Sequence, residues 1–214
     1  MTWLEQLGTL LPSVMGWDRA WPYLLGSLAI GYVFGSIPFG LLITKVMNLG
    51  DLRSIGSGNI GATNVLRTGN KAAAAGTLGF DMAKGWAAVV LLTAMWGELP
   101  GQIAGLGAFL GHCFPVWLRF QGGKGVATFL GVVIGLSPFA GLGCCLAWII
   151  GAFLTRISSA AALLMSLSAP ILVWAIAAKG AIWVVAPIII LLWLRHHENI
   201  GRLAKGEEPR IGRR

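Results

Sequence analysis

The chain has 214 residues, 56% of them hydrophobic and only 11% charged, where a soluble domain carries about 25% charged residues. That composition excludes an ordinary water-soluble globule and identifies a membrane protein. Sixteen Lys and Arg against eight Asp and Glu give a net charge of +8, which in a membrane chain predicts basic loops on the cytoplasmic side and an anionic ligand. Nucleic acid is a poor fit, because no basic run is interleaved with aromatic residues.

Residues 1–21 contain Glu5 and Asp18 and no basic residue before Arg19. They lack the basic start, apolar core and cleavage site of a signal peptide, and read as a retained extension, an interfacial helix. Apolar runs then recur at about 22–47, 72–97, 101–118, 125–136, 139–154, 160–178 and 181–195. The fourth, "VATFLGVVIGL", is shorter than the ~20 residues a full crossing needs, and Ser137–Pro138 separates it from the fifth; the alternative is that the two are halves of one kinked helix. Charge decides between six and seven crossings. With seven, every basic residue except Arg19 and Lys179 falls at one membrane face; with six, Arg156 and the basic tail would oppose the first loop, against the positive-inside tendency. The expected fold is an all-α integral membrane protein of seven transmembrane helices, with the N-terminus outside and the C-terminus cytoplasmic. Residues 22–200 form its single helical domain and 201–214 its basic tail.

Within the first helix, "GSIPFG" adds Ser36 and a kink at Pro38 that frees backbone carbonyls, a pattern tolerated in membranes beside a cavity or a neighbouring helix. The loop at 48–71 carries "GSGNIGATN", in which Gly56, Gly58 and Gly61 have the spacing of a dinucleotide-binding fingerprint, and Asp81 lies at about the distance of a ribose-binding carboxylate. A βαβ unit of about 30 residues cannot fit between two membrane helices here. The glycines, with Ser57, Asn59, Thr63 and Asn64, still suit a loop whose donors face a phosphate or carboxylate, and equally a tight re-entrant turn. In the second helix "DMAKG" places Asp81 and Lys84 on one face, a pairing that reads first as structural charge neutralisation.

Between helices three and four, "FQGGKGVATF" sets Lys124 among Gly122, Gly123 and Gly125. It is not a Walker A loop, since Leu118 and Gly125 stand where that motif needs Gly and Ser or Thr. It leaves a cation in a turn that opens a helix, which is either an anion site or a plain linker. Where the last helix ends, "RHHENIGRL" aligns Arg195, Asn199 and Arg202 on one face with His196 beside Asn199; an interfacial basic helix end is the simpler reading of that stretch alone. The topology places all three stretches, with "TRISSA" at 155–160, on one face of one bundle. Gly105, Gly107 and Gly111 are expected to permit close helix packing rather than bind ligand.

Missing groups narrow the chemistry. The eight carboxylates are scattered, so no metal cluster is expected. Cys113, Cys144 and Cys145 lie in apolar stretches without metal-ligand spacing and read as small buried residues. Five positions after His112, His196 and His197 stand Trp117, Gly201 and Arg202, so the His-x4-Asp pair of the thioester-using glycerolipid acyltransferases is missing, as is a G-x-S-x-G elbow. What remains is rich in anion-binding donors and poor in bases. That suits phosphorylated substrates oriented by the protein, one of which supplies the base.

The stretches "GSIPFG", "DLRSIGSGNIGATNVLR", "DMAKG", "GHCFPVWLRFQGGKGVAT" and "RHHENIGRL" together resemble the bacterial acyl-phosphate:glycerol-3-phosphate acyltransferase family, the PlsY type. The resemblance runs from residue 35 to the tail. It implies transfer of a fatty acyl group from acyl phosphate to the 1-hydroxyl of glycerol 3-phosphate, giving lysophosphatidic acid and phosphate, the first acylation of phospholipid synthesis. It also implies a multi-pass protein of the bacterial inner membrane with its site facing the cytoplasm, no cofactor and no metal, and a functional link to the enzyme that makes acyl phosphate. By the same resemblance Arg53, Lys124 and His196 with Asn199 hold phosphate, and Ser36 and Ser159 orient substrate. Gly58, Gly61, Ser57, Asn59 and Asn64, with Gly122, Gly123 and Gly125, line the polar floor. "TRISSAAA" departs from the family's usual pattern, leaving Ser158 as the alternative to Ser159. Two rivals stay open: a transporter or channel for an organic phosphate, and an enzyme that uses acyl-CoA on the same acceptor.

Overall fold

In a computed structural model, residues 16–177 and 179–211 are described, and among them all regular structure is helical. In chain order the helices are α1 (Trp17–Gly35), α2 (Phe39–Val46), α3 (Ala62–Val65), α4 (Lys71–Trp96), α5 (Glu98–Cys113), α6 (Val126–Leu136), α7 (Pro138–Thr155), α8 (Ser158–Ile176), α9 (Ile182–Arg195) and α10 (His197–Ala204). Each of the seven apolar runs of the sequence contains α-helix, the first of them interrupted at residues 36–38. Among the described residues four stretches are long and apolar enough to cross a membrane: Arg19–Val46, which includes the break between α1 and α2, then α4, α7 and α8. The helices α6 and α9 are apolar but shorter. The predicted extension falls mostly on residues 1–15, outside the described residues; Trp17 to Trp21 already belong to α1.

Two boundaries differ from the sequence reading or decide within it. The third run is helical only to Cys113, because Pro115 has no N–H to continue the ladder and disfavours helical geometry at Phe114, which has φ −136° and ψ 55°. Its last residues form a short 3-10 turn, Val116–Leu118. The fourth and fifth runs are separate helices. Ser137 is extended and its hydroxyl accepts from the Ala140 N–H (3.4 Å), while Pro138 takes the first position of α7, where a missing N–H costs nothing.

Small residues set how closely the helices pack. α1 crosses α5 so tightly that a Cβ on Gly35 would lie 1.9 Å from the Ala108 carbonyl oxygen, and one on Gly107 2.3 Å from that of Leu28. The same device joins α4 to α6, with Gly131 against Met82. The main core lies among α5, α6, α8 and α9 and includes Phe109, Phe129, Met165 and Ile188, all fully buried. Large apolar side chains such as Leu25, Phe153, Ile171 and Ile190 face outward, as helices in contact with lipid require.

Candidate active site

The loop between α2 and α3 is shaped by its own polar side chains. Asp51 accepts from the Arg53 backbone N–H (3.0 Å) and is paired with the Arg53 guanidinium, Nη2 to Oδ2 at 2.9 Å. Those hydrogen bonds hold the Asp51 carboxyl below its usual range and push the Arg53 guanidinium up. Both side chains are exposed, so Arg53 sits on the rim. Asn64 is buried with its amide donating to the Leu52 carbonyl (2.8 Å), and Arg67 approaches its other face at 3.4 Å. Asn59 accepts from the Gly61 N–H at 3.2 Å. Gly56 has φ +54° and leaves no room for a Cβ against Arg67, so only glycine fits there. Gly58 shares the left-handed backbone, and Ser57 is exposed.

The Gly122–Gly125 turn is held from beneath. The Gly122 and Gly123 N–H groups donate to the Cys113 and His112 carbonyls at the end of α5, at 3.1 and 3.0 Å. Arg195 clamps the opposite side, donating from Nη2 to the Gly122 carbonyl (3.0 Å) and from Nε to that of Gly123 (3.2 Å). These two glycines therefore spend their amides on α5, not on an anion. Gly125, at φ +81°, abuts the Phe109 ring and turns the chain into α6. The clamped turn presents Lys124, whose Nζ donates to Asn199 Oδ1. Burial, followed by repulsion from Arg202, lowers the Lys124 ammonium below its ordinary value.

Asn199 is the hub. Its amide Nδ2 donates to Glu208 Oε1, and the Ser159 hydroxyl, at the start of α8, donates to the same oxygen at 2.7 Å. Arg202 Nε donates to Glu208 Oε2, also at 2.7 Å. Partial burial works to raise Glu208, but the hydrogen bonds from Asn199, Ser159 and Arg202 hold it below the carboxylate range. Ser158 turns the other way and shares a 3.0 Å hydrogen bond with Thr63 of the first loop. The two serines thus divide the work: Ser159 joins the cluster and Ser158 ties the first loop to it.

His196 is 2% exposed. Its Nδ1 lies 2.7 Å from the Leu192 carbonyl oxygen; a carbonyl only accepts, so Nδ1 carries the proton and Nε2 keeps its lone pair. Burial pushes the imidazole down to about 4, so it is neutral at pH 7. Ser36, at the end of α1, is 1% exposed and its hydroxyl has no hydrogen-bond partner among the described residues.

The four stretches singled out in the sequence therefore meet, through Thr63–Ser158, Ser159–Glu208 and Lys124–Asn199. Arg53 stands apart on the rim. Glu208 was missed by the sequence reading; the signal was an acidic pair in a tail otherwise basic. Among the described residues no group of three His, Cys, Asp or Glu is placed to hold a metal ion.

A family model for glycerol-3-phosphate acyltransferase matches residues 25–206. The chain is 57% identical over 185 residues to a glycerol-3-phosphate acyltransferase of Roseobacter denitrificans, covering 86% of this chain and 92% of that one. It is 48% identical to that of Agrobacterium fabrum, covering 95% of this chain and all of its relative. Two crystal structures of PlsY, an integral membrane glycerol 3-phosphate acyltransferase, superpose on it. The glycerol 3-phosphate form gives a TM-score of 0.83 at 36% identity, covering 88% of this chain and 96% of PlsY; the lysophosphatidic acid form gives 0.81 at 36%, covering 88% and 95%. With the family model spanning most of the chain and relatives matching along nearly their whole length, this multi-pass membrane protein belongs to the glycerol-3-phosphate acyltransferase family.

Proposed function

We propose that the protein transfers a fatty acyl group from acyl phosphate to the 1-hydroxyl of glycerol 3-phosphate, releasing lysophosphatidic acid and inorganic phosphate. The site faces the cytoplasm in a bacterial inner-membrane bundle of seven crossings, an orientation supported by the charge count. One observation carries the reading: Lys124 from the glycine turn, Ser159 from α8, and Asn199 and Arg202 from α10 converge on one polar cluster. Such a cluster suits substrates that each bear a phosphate. Arg53, exposed and paired with Asp51, exchanges that carboxylate for an incoming phosphate in this reading.

In the reaction the glycerol hydroxyl oxygen attacks the acyl carbonyl carbon, and the bond from that carbon to the phosphate oxygen breaks. The leaving group is already good, so charge stabilisation by Lys124 is the main demand. A base must take the hydroxyl proton. His196 is a weak one, since its imidazole lies down at about 4, whereas the second ionisation of a phosphate monoester lies near 6. The dianionic phosphate of glycerol 3-phosphate is the better acceptor of that proton, and His196 Nε2, unprotonated, orients the substrate by accepting from its other hydroxyl, at carbon 2. Ser36, buried with an unpartnered hydroxyl, is assigned to orient substrate.

The donor is tested with purified protein given glycerol 3-phosphate and either palmitoyl phosphate or palmitoyl-CoA. Lysophosphatidic acid from palmitoyl phosphate alone supports the proposal. Turnover with palmitoyl-CoA alone keeps the acceptor and overturns the donor. Glycerol 3-phosphate flux into liposomes without acyl transfer would identify a transporter.

A further inference from the structure

At the break between α1 and α2 the helical ladder stops: Ile37 and Pro38 belong to neither helix, so the Ser36 and Ile37 carbonyls have no ladder N–H four residues on. These carbonyls, of consecutive residues, are held by side chains from far along the chain, that of Ile37 while it also accepts from the Phe39 N–H at 3.1 Å. The indole Nε1 of Trp117 donates to the Ser36 carbonyl at 2.7 Å, and Lys84 Nζ donates to the Ile37 carbonyl at 2.9 Å. Lys84 is itself 2.7 Å from Asp81 Oδ1, both side chains almost fully buried, with His112 Nδ1 3.6 Å from the same carboxylate oxygen. Charge neutralisation explains why Asp81 accompanies Lys84. It does not explain why the ammonium reaches a carbonyl 47 residues away, next to a buried hydroxyl that has no partner.

Trp117 has a second connection. It lies in the turn between α5 and the Gly122–Gly123 segment, and that segment folds back onto Cys113 and His112. One indole thus fixes Ser36 to the strip of chain that presents Lys124. The indole is about half exposed, so packing alone does not demand it.

We infer that Trp117 and Lys84 are positioning residues for Ser36, which fix its hydroxyl relative to the Lys124 turn by holding the two carbonyls freed at the Pro38 break. This rests on the assignment of Ser36 to the substrate under the proposed function. The test is a pair of double-mutant cycles against Ser36→Ala, in which only coupled residues are non-additive. Trp117→Phe keeps the ring and removes the donor. Asp81→Asn with Lys84→Met keeps the pair uncharged and removes the other donor.

Each change is expected to lower kcat about tenfold with an unaltered melting temperature, and to cost nothing further in the Ser36→Ala background. Wild-type kcat in Trp117→Phe while Ser36→Ala is crippled overturns the inference and leaves the Ser36 assignment standing. Losses that multiply fully with Ser36→Ala, for either change, also overturn it. Wild-type activity in Ser36→Ala removes the Ser36 assignment, and the inference falls with it. Should the Asp81/Lys84 variant not fold, the Trp117→Phe cycle alone decides.

Discussion

The hydroxyl of Ser159 donates to Glu208 Oε1 across 2.7 Å and 49 residues of sequence. The tail carboxylate thereby joins the start of α8 to Asn199 and Arg202 on α10. Replacing Glu208 with Gln keeps the shape but removes the charge that Arg202 balances and that favours the Lys124 ammonium. Charge-assisted hydrogen bonds are worth roughly 1.5–3 kcal/mol each. Glu208→Gln is expected to lower kcat by at least an order of magnitude and to loosen the tail, read as faster amide exchange at residues 205–211.

Lys124→Ala removes the ammonium of the cluster and is expected to cost on the order of a hundredfold or more in kcat, as when an oxyanion donor is lost. Its pH dependence is a separate check. Burial and Arg202 hold the ammonium below its ordinary value, so activity should fail on the alkaline side earlier than a free lysine would allow. Lys124→Arg, less active because its planar fork is larger, should lose that alkaline limb, since guanidinium stays charged above pH 12.

His196 provides a pH test of opposite direction. Its folded pKa of about 4 lies below the 6.5 of the free side chain, so the unfolded chain binds the proton first. The stabilisation is complete above pH 6.5 and is lost as pH falls toward 4, to a total on the order of 3 kcal/mol. Thermal melting in detergent should show this slope in the wild type and a shallower one in His196→Gln. If substrate phosphate is the base, His196→Gln raises the KM for glycerol 3-phosphate and leaves substantial kcat at saturation. Near-total loss of kcat would make His196 the base.

Packing predicts a contrast between two glycines. Gly35→Ala would bring a Cβ within 1.9 Å of the Ala108 carbonyl oxygen and force α1 from α5; overpacking of this kind costs about 1–3 kcal/mol or more. Gly79, on α4, has nothing within 4 Å of its Cβ direction, so Gly79→Ala should stabilise by about 0.5–1 kcal/mol through helix propensity. Melting temperatures of the two variants should move in opposite directions.

Much of this organisation was legible in the sequence because it follows from one-dimensional patterns. Apolar runs marked the helices, Ser137–Pro138 marked the α6–α7 break, and the bias of charge grouped the polar stretches before any contact was known. Gly107 and Gly111 read as packing residues, and α1 does lie against both. What stayed hidden depends on which partner a polar group finds in three dimensions. The turn around Gly122 and Gly123 suited an anion site and a plain linker equally in the sequence; its amides meet carbonyls left open where Pro115 ends α5. The spacing of Arg53 does not reveal that Asp51, two residues earlier, is the group it pairs with. Glu208 enters the cluster only because the tail folds back, with the Ile211 N–H donating to the Arg156 carbonyl at 2.7 Å.

Acyl transfer from acyl phosphate to glycerol 3-phosphate at the Lys124–Asn199 cluster, as proposed, has a fixed stoichiometry. The direct measurement is the ratio of phosphate released to lysophosphatidic acid formed from palmitoyl phosphate in a lipid cubic phase, with and without glycerol 3-phosphate, for wild type and folded Lys124→Ala. A ratio of about one, strictly dependent on glycerol 3-phosphate and lost in the variant, is the expected result given the single acyl bond exchanged. Phosphate release without glycerol 3-phosphate, or wild-type turnover in Lys124→Ala, would contradict it.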